Sequence, residues 1–208
     1  MARPAVFLDK DGTLVEDVPY NVDPARIRLA PGAVEGLQLL HAAGYRLVVV
    51  SNQSGVARGY FSERALRRVA RRLRELLAGA GIPLAGFYYC PHHPQGRVPR
   101  YARACICRKP APGLIVRAAQ ALGLDLARSW LVGDILHDVE AGHRAGCRAI
   151  LLDNGHETEW ELTPRRVPDA RARDLAEAAR LILHLDAAAR TSPWGNASQD
   201  LPTRGGRG

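Results

Sequence analysis

Short apolar runs alternate along the chain with segments whose apolar residues recur at helical spacing. The runs predict five strands, at residues 4–8, 46–50, 86–89, 129–132 and 148–152. Several runs are almost continuously apolar, as in Leu47-Val48-Val49-Val50, which is typical of parallel strands covered on both faces. The pattern therefore predicts an α/β fold built on a central parallel sheet.

The segments between the apolar runs predict helices. They lie at about 32–43, from Ser62 onward, at about 111–122, at about 135–145 and at about 172–186. Ser62 is a favourable N-cap residue, and Gly44, Gly123 and Gly146 follow the last turns, where glycine commonly ends a helix. Strand–helix alternation implies right-handed crossovers, which bring all strand carboxyl ends to one edge of the sheet, where ligands bind.

The bulk composition is typical of a soluble globular protein. Its 208 residues are 47% hydrophobic and 24% charged, and no run approaches the roughly 20 apolar residues of a membrane helix. The chain begins directly before the first strand without a signal-peptide core, so we expect a cytoplasmic protein with no membrane partner. We expect one domain over residues 1–190 and a disordered tail over 191–208, which is rich in Gly and Pro.

The charge is strongly positive and is carried by arginine. The net charge is +8, and of 29 basic residues only Lys10 and Lys109 are lysines. A basic balance suits either nucleic acid or a phosphorylated small molecule, and arginine forks onto phosphate in both cases. The arginines between Arg64 and Arg74 lie on the polar side of a predicted helix and favour a solvated face.

Two aspartates follow the first predicted strand, in the segment F-L-D-K-D-G-T-L. Asp9 and Asp11 supply a carboxylate nucleophile and a second carboxylate to move a proton, and Gly12 provides a turn with backbone N–H groups near an anion. A calcium loop is the alternative for D-x-D-G, but it needs Glu at its twelfth position. Counting from Asp9, that position is Tyr20, which favours the phosphoryl-transfer interpretation.

Polar residues also follow the second and fourth predicted strands. Ser51-Asn52-Gln53-Ser54-Gly55 follows the second, and Gly133-Asp134 follows the fourth, with Asp138 one helical turn later. Four carboxylates at one edge would repel each other, and a hard divalent cation such as Mg²⁺ resolves this. Taken alone, Asp134 and Asp138 would stabilise a helix N-terminus and Ser51 would cap a turn.

The cysteines indicate a second metal site. Cys90, Cys105 and Cys107, with His92 or His93, provide three thiolates and one imidazole, a ligand set typical of structural zinc. The loop between them has little apolar content, so a metal would order it where a core cannot. A disulfide is disfavoured in a cytosolic chain, and a redox pair usually has the spacing C-x-x-C.

These motifs together resemble those of the haloacid dehalogenase (HAD) superfamily of phosphohydrolases. The match rests on D-K-D-G-T, Ser51, Lys109 and G-D-I-L-H-D, and covers about residues 4–155. The segments S-N-Q-S-G-V-A-R-G, Y-Y-C-P-H-H-P-Q-G and C-I-C-R-K-P are similar to one branch, the D-glycero-D-manno-heptose 1,7-bisphosphate and histidinol-phosphate phosphatases. The resemblance implies a three-layer Rossmann-like fold with a zinc-binding loop insertion at residues 90–107.

The resemblance also implies roles for individual residues. It makes Asp9 the nucleophile, Asp11 the acid and base, and Lys109 the cation that neutralises the phosphoryl group. Mg²⁺ would be bound by Asp9, the backbone carbonyl of Asp11 and Asp134, with Asp138 holding a metal-bound water. The zinc ligands would be Cys90, His92, Cys105 and Cys107. The substrate would contact Asp17, Tyr20, Ser51, Asn52, Gln53, Ser54, Arg108 and Lys109.

The function implied by the resemblance is magnesium-dependent removal of the carbon-7 phosphate of D-glycero-D-manno-heptose 1,7-bisphosphate, a step towards lipopolysaccharide. Residues 13–51 leave no room for a large cap domain, so the zinc loop and a flap at Asp17–Tyr20 would shape the pocket. This chain differs from the branch at two positions. It has Ile135 where the branch often has Lys, and Ile106 where Asp is common. The loss of a positive charge at Ile135 leaves the substrate preference open.

Three alternatives remain open at this point. Histidinol phosphate is the main rival substrate, and a nucleic-acid 3′-phosphatase is a more distant one. A zinc-stabilised nucleic-acid binding module would explain the positive charge without catalysis. Against that module, the basic residues are not interleaved with aromatic residues along the sequence, and a carboxylate-lined edge would repel a phosphate backbone. We therefore expect a monomer that acts on a small phosphomonoester and does not bind nucleic acid.

Overall fold

A computed structural model describes residues 2–158 and 160–191 of the chain. Within these residues, one six-stranded parallel sheet has the order β3-β2-β1-β4-β5-β6. Its strands are β1 (Ala5–Leu8), β2 (Arg46–Asn52), β3 (Leu84–Cys90), β4 (Trp130–Gly133), β5 (Arg148–Leu152) and β6 (Ala170–Ala172). The chain passes from one half of the sheet to the other between β1 and β4, which is where an open parallel sheet forms a ligand crevice.

Helices cover both faces of the sheet. They are α1 (Ala33–Ala42), α2 (Gly55–Arg58), α3 (Glu63–Gly79), α4 (Gly113–Leu122), α5 (Leu136–Ala145) and α6 (Leu175–Thr191). One apolar cluster joins the sheet to α1, α3 and α6, and a second joins it to α4 and α5. Within β1, Val6 and Leu8 belong to the first cluster, and Ala5 and Phe7 to the second, as period-two alternation requires. The predicted fold class is confirmed.

The predicted elements agree with the structure to within a few residues, with two omissions. The sequence analysis missed β6, whose Ala-Arg-Ala sequence contains no apolar run, and α2, which has only four residues. Ser62 occupies the N-cap position of α3 but makes no side-chain capping hydrogen bond. Helix α6 ends at Thr191, five residues beyond its predicted end at 186. The rest of the predicted tail, residues 192–208, lies outside the described residues, and the single-domain boundary at residue 190 stays a prediction.

The region between Thr13 and Ser51 contains a short 3-10 turn (Pro24–Arg26), α1 and most of β2. This content agrees with the expectation that no large cap domain is inserted at this point. In the two described ranges, none of the helices has the length and apolar character needed to cross a bilayer.

Helices α1 and α6 approach each other closely at Gly36. A Cβ atom added to Gly36 would lie 2.2 Å from the backbone carbonyl oxygen of Leu175, at the start of α6. Backbone atoms cannot move aside as the end of a flexible side chain can, so the absence of a side chain at Gly36 fixes the distance between these helices.

We expect Gly36→Ala to destabilise the protein although Ala is the better helix former. The clash with Leu175 should cost about 1–3 kcal/mol in the free energy of unfolding. Gly79→Ala is the matched control, because Gly79 also lies in a helix and its added Cβ would meet no atom within 4 Å. The control should be neutral or stabilising by up to about 1 kcal/mol. Equal stabilities of the two variants in denaturant unfolding would contradict the close approach.

Candidate active site

Three carboxylates meet one buried ammonium at the carboxyl ends of β1 and β4. Asp9 follows β1, Asp134 follows β4, and Asp138 lies in the first turn of α5. Lys109 Nζ lies 2.6 Å from Asp9 Oδ1 and 2.6 Å from Asp138 Oδ1, and its side chain is 2% exposed. The structure therefore brings together three of the four carboxylates that the sequence analysis placed at this edge of the sheet, and it places beside them Lys109, which the resemblance had assigned to the phosphoryl group.

The loop that carries Lys109 is held by reciprocal hydrogen bonds with the end of β2. The Lys109 backbone N–H donates to Asn52 Oδ1 at 3.0 Å, and Asn52 Nδ2 donates to the Lys109 carbonyl at 3.1 Å. Lys109 Nζ also donates to the Val50 carbonyl at 3.0 Å. These contacts fix both the backbone and the ammonium group of Lys109 beside Asp9.

Asp11 lies beside the predicted phosphate-binding segment after β2. Gln53 Nε2 donates to Asp11 Oδ2 at 3.0 Å and to Ser51 Oγ at 2.9 Å, and Lys10 forms an ion pair with the other Asp11 oxygen. Burial raises the pKa of Asp11, and Asp9 raises it further, while Lys10 lowers it. A carboxyl whose pKa is raised is better able to carry a proton at neutral pH.

Asp134 contacts His156, a residue that the sequence analysis did not identify. His156 Nδ1 lies 2.8 Å from Asp134 Oδ2, and Thr13 Oγ1 donates to Asp134 Oδ1 at 3.4 Å. Gly12 makes this arrangement possible, because its φ is +75° and an added Cβ would lie 2.1 Å from Asp134 Oδ2. His156 is a single histidine in a loop after β5, outside any motif, so no pattern in the sequence indicated it.

A polar cavity of about 230 Å³ opens above these groups. Its walls are formed by Asp9, Asp11, Asp17, Ser51, Asn52, Lys109, Asp134, Ile135 and His156. Four predicted substrate contacts are not among these lining residues. Gln53 contacts the lining residues Asp11 and Ser51 instead. Tyr20 packs edge-on against Tyr60 with ring centroids 4.8 Å apart, Ser54 occupies the N-cap position of α2, and Arg108 Nη1 faces the His92 carbonyl at 3.5 Å. Substrate binding by all eight predicted residues stays a prediction.

The crowded carboxylates alter each other's protonation. Burial and the neighbouring Asp9 and Asp138 carboxylates raise the pKa of Asp134 to about 8. Burial also raises the pKa of Asp138 to about 6, although the Lys109 ammonium opposes this shift. Burial alone lowers the pKa of Lys109, but Asp138 and Asp9 reverse the effect and raise it above its usual value. One ammonium therefore does not compensate three carboxylates.

The donor atoms at this site fit a hard divalent cation. Asp9, Asp134 and Asp138 each offer a carboxylate oxygen, and these oxygens lie within 4.8 Å of one another. Asp138 Oδ2 is buried and has no hydrogen-bond partner among the described residues. An all-oxygen set with an unsatisfied buried carboxylate oxygen suits Mg²⁺, which binds through a few carboxylates and retains waters.

A second cluster contains the three predicted cysteines and His92. The Sγ atoms of Cys90, Cys105 and Cys107 lie 3.2–3.4 Å apart, and His92 Nδ1 lies 3.4 Å from Cys107 Sγ and 3.7 Å from Cys90 Sγ. All three cysteines are free thiols. Tetrahedral ligands of zinc, bound at about 2.0–2.3 Å, lie less than about 4 Å apart, so this donor set fits zinc.

His92 rather than His93 faces the sulfur atoms. His93 Nδ1 accepts from the Gln95 backbone N–H at 3.1 Å, and His93 Nε2 lies 3.5 Å from Arg58. Burial and the Arg103 guanidinium lower the pKa of His92, which favours the neutral imidazole that binds metals. The preference for His92 in the sequence analysis therefore agrees with the geometry.

Comparisons with known proteins identify similar enzymes. A family model described as HAD-hydrolase-like matches residues 106–178. A D-glycero-beta-D-manno-heptose-1,7-bisphosphate 7-phosphatase of Pasteurella multocida (strain Pm70) is 43% identical over 150 residues, which cover 72% of this chain and 81% of the relative. The protein of the same name in Escherichia coli (strain K12) is 42% identical over 138 residues, covering 66% of this chain and 72% of the relative.

The chain is also similar to a solved structure of another protein that contains magnesium. The D,D-heptose 1,7-bisphosphate phosphatase from B. bronchiseptica, complexed with magnesium and phosphate, superposes with a TM-score of 0.71 at 30% identity. The match covers 88% of this chain and 99% of that one.

We expect the purified chain to contain one zinc ion per molecule and Cys105→Ser to lose it. Because the zinc-binding loop has little apolar content, its order should depend on the metal, and the melting temperature should fall by several degrees. Metal analysis and thermal unfolding measure both effects. Cys147→Ala is the control for zinc content, since Cys147 is a buried core residue that does not belong to the metal-binding cluster. Full zinc content in Cys105→Ser would contradict the assignment.

Proposed function

The chain belongs to the HAD-like hydrolase family that includes the D-glycero-beta-D-manno-heptose-1,7-bisphosphate 7-phosphatases, and we propose that it catalyses their reaction. It would hydrolyse the carbon-7 phosphomonoester of D-glycero-beta-D-manno-heptose 1,7-bisphosphate and release inorganic phosphate. The protein would act as one domain over residues 1–190, as a cytoplasmic monomer.

The observation that carries this proposal is the arrangement of Asp9, Asp11 and Lys109 around one cavity. The Lys109 ammonium lies 2.6 Å from Asp9 Oδ1 and orients this carboxylate. Asp9 then attacks phosphorus in line with the leaving oxygen, and an aspartyl-phosphate replaces the substrate ester. Lys109 also balances the negative charge of the transferred phosphoryl group.

Asp11 is suited to move the proton in both half-reactions. In the first, the protonated carboxyl donates to the departing sugar oxygen, so the sugar leaves as an alcohol. In the second, the resulting carboxylate takes a proton from the water that attacks phosphorus and frees Asp9. The raised pKa of Asp11 supports this double role, because both protonation states must be accessible during one turnover.

Ser51 and Asn52 complete the phosphoryl-binding wall. Gln53 donates to both Ser51 Oγ and Asp11 Oδ2, so it aligns the hydroxyl group with the proton-transfer carboxyl. Ser51 Oγ retains its own proton for donation to a phosphoryl oxygen. We also assign Asp17, which lines the cavity, and Gln53, which contacts Asp11 and Ser51, to substrate positioning. Tyr20, Ser54 and Arg108 would contact more distant parts of the substrate.

Two metals complete the proposed site. Asp9, the backbone carbonyl of Asp11 and Asp134 would hold Mg²⁺, with Asp138 as an outer partner. The ion would neutralise the crowded carboxylates and the phosphoryl charge. The magnesium and phosphate in the B. bronchiseptica enzyme support this choice of cation. Zinc at Cys90, His92, Cys105 and Cys107 would be structural, because four protein ligands leave no open coordination position.

We expect Asp9→Asn to abolish phosphate release while the fold is retained. An amide is a poor nucleophile, so no phosphoenzyme should form. Phosphate release and acid-quenched trapping of labelled enzyme measure the two effects, and circular dichroism checks the fold. Asp125→Asn is the matched control, because Asp125 precedes β4, at the opposite end of that strand from Asp134, and does not line the cavity. Turnover within tenfold of wild type in Asp9→Asn would overturn the nucleophile assignment.

A substrate panel tests the proposed specificity. We expect kcat/KM for D-glycero-beta-D-manno-heptose 1,7-bisphosphate to exceed that for histidinol phosphate by at least about tenfold, which corresponds to about 1.4 kcal/mol in the transition state. Hydrolysis should require added Mg²⁺ after removal of divalent cations, with zinc content monitored in parallel. A preference for histidinol phosphate would retain the mechanism but replace the substrate.

A further inference from the structure

A second polar cavity, of about 480 Å³, lies along β3 at the edge of the sheet. It shares no lining residue with the catalytic cavity. Its walls are formed by Glu63, Phe87, Tyr88, Tyr89, Pro91, His92, Arg100, Tyr101, Arg103, Cys107 and Arg117. Among the described residues β3 pairs only with β2, so its outer side is not covered by another strand. Below, we call this space the edge cavity.

Four aromatic rings line the edge cavity. Phe87, Tyr88 and Tyr89 are consecutive in β3, and Tyr101 comes from the zinc-binding loop. All four are only partly buried. Phe87 and Tyr89 lie on one face of the sheet, with ring centroids 6.3 Å apart, and Tyr88 lies on the other. Partly exposed rings offer π-faces on which another planar ring can stack, and each such contact contributes favourably to binding.

Three arginines share the cavity with these rings. The Arg100 guanidinium lies 5.4 Å from the Tyr101 ring centroid, and the Arg117 guanidinium lies 5.5 Å from that of Tyr88. Arg103 Nη2 lies 3.0 Å from His92 Nε2. None of the three forms an ion pair with a residue in the described part of the chain, so their charges are available to a ligand.

The charge around the edge cavity favours an anion. Glu63 is the one carboxylate among its lining residues, against three guanidinium groups. Helix α3 borders the cavity through Glu63 and extends the positive surface. Its exposed arginines are Arg64, Arg67, Arg68, Arg71 and Arg74. Such a field attracts anions and raises their rate of encounter.

We propose that the edge cavity binds a nucleoside phosphate. The volume lies within the range of pockets for small molecules, about 300–1,000 Å³. The rings on one face of β3 would stack on the base, and the arginines would form charge-assisted hydrogen bonds with the phosphates. Glu63 would accept a hydrogen bond from a ribose hydroxyl or a base amino group. Inorganic phosphate would leave the rings unused, and a nucleoside would leave the arginines unused.

Calorimetric titration of the full-length, zinc-loaded chain with ADP, without magnesium, tests the site. The double variant Arg100→Ala/Arg117→Ala should weaken ADP binding at least about tenfold. Both arginines are exposed and lie outside the catalytic cavity, so phosphatase activity should be unchanged and reports on the fold. Arg68→Ala/Arg74→Ala is the matched control, with the same change of net charge on α3 and an expected loss below about threefold.

The identity of the ligand is tested by its parts. Adenosine and pyrophosphate should each bind at least about tenfold more weakly than ADP. Pyrophosphate binding as tight as that of ADP would show recognition of charge alone and overturn the nucleotide assignment. Unchanged ADP affinity in Arg100→Ala/Arg117→Ala would overturn the location. Tighter binding of a single-stranded oligonucleotide than of ADP would replace the small ligand by a polymer and reject the proposal.

Discussion

The active site depends on one buried ion-pair network, in which the Lys109 ammonium lies between Asp9 and Asp138. A buried lysine is costly unless it is paired, and buried carboxylates are costly for the same reason. The parallel sheet brings these groups together, and small residues make the approach possible. A Cβ at Gly133 would lie 2.3 Å from Asp138 Cβ, so a side chain at this position would displace Asp138. The close approach of Asp138 to the end of β4 is therefore a condition for its ion pair with Lys109.

The cysteine–histidine cluster contributes to the same network through the covalent chain. Cys107 is separated from Lys109 only by Arg108, and Arg108 Nη1 is directed to the carbonyl of His92, another member of this cluster. Asn52 then holds the Lys109 backbone from the end of β2. The loop thus approaches the site between two anchors, the sulfur cluster on one side and β2 on the other. Since the loop has few apolar residues of its own, we expect the first anchor to depend on the proposed zinc ion.

Much of this arrangement was predictable, because it follows from local sequence signals and one rule of topology. Continuous apolar runs predicted five of the strands, and parallel strands end at a shared edge, which brought Asp9, Ser51 and Asp134 together in the prediction. The cysteine spacing likewise predicted the sulfur cluster. Neither signal applies to β6 or α2, which are too short for periodicity, or to His156, whose position beside Asp134 depends on how a loop after β5 folds back.

The positions of Tyr20 and Arg108 could not be derived from sequence for a related reason. A long side chain near a site can turn towards several partners, and tertiary contacts decide between them. Tyr20 has a positive φ of 56° and packs on Tyr60, while Arg108 turns to the zinc-binding loop. Tyr20 is therefore not part of the wall of the catalytic cavity. Among the described residues that line this cavity, Ile135 is the one with an apolar side chain. Apolar burial then adds little to substrate affinity there, and charge and hydrogen bonds at the phosphoryl group must supply most of it. Interactions of that kind strengthen as charge develops in the transition state, so a polar, uncapped cavity favours turnover over tight binding of the ground state.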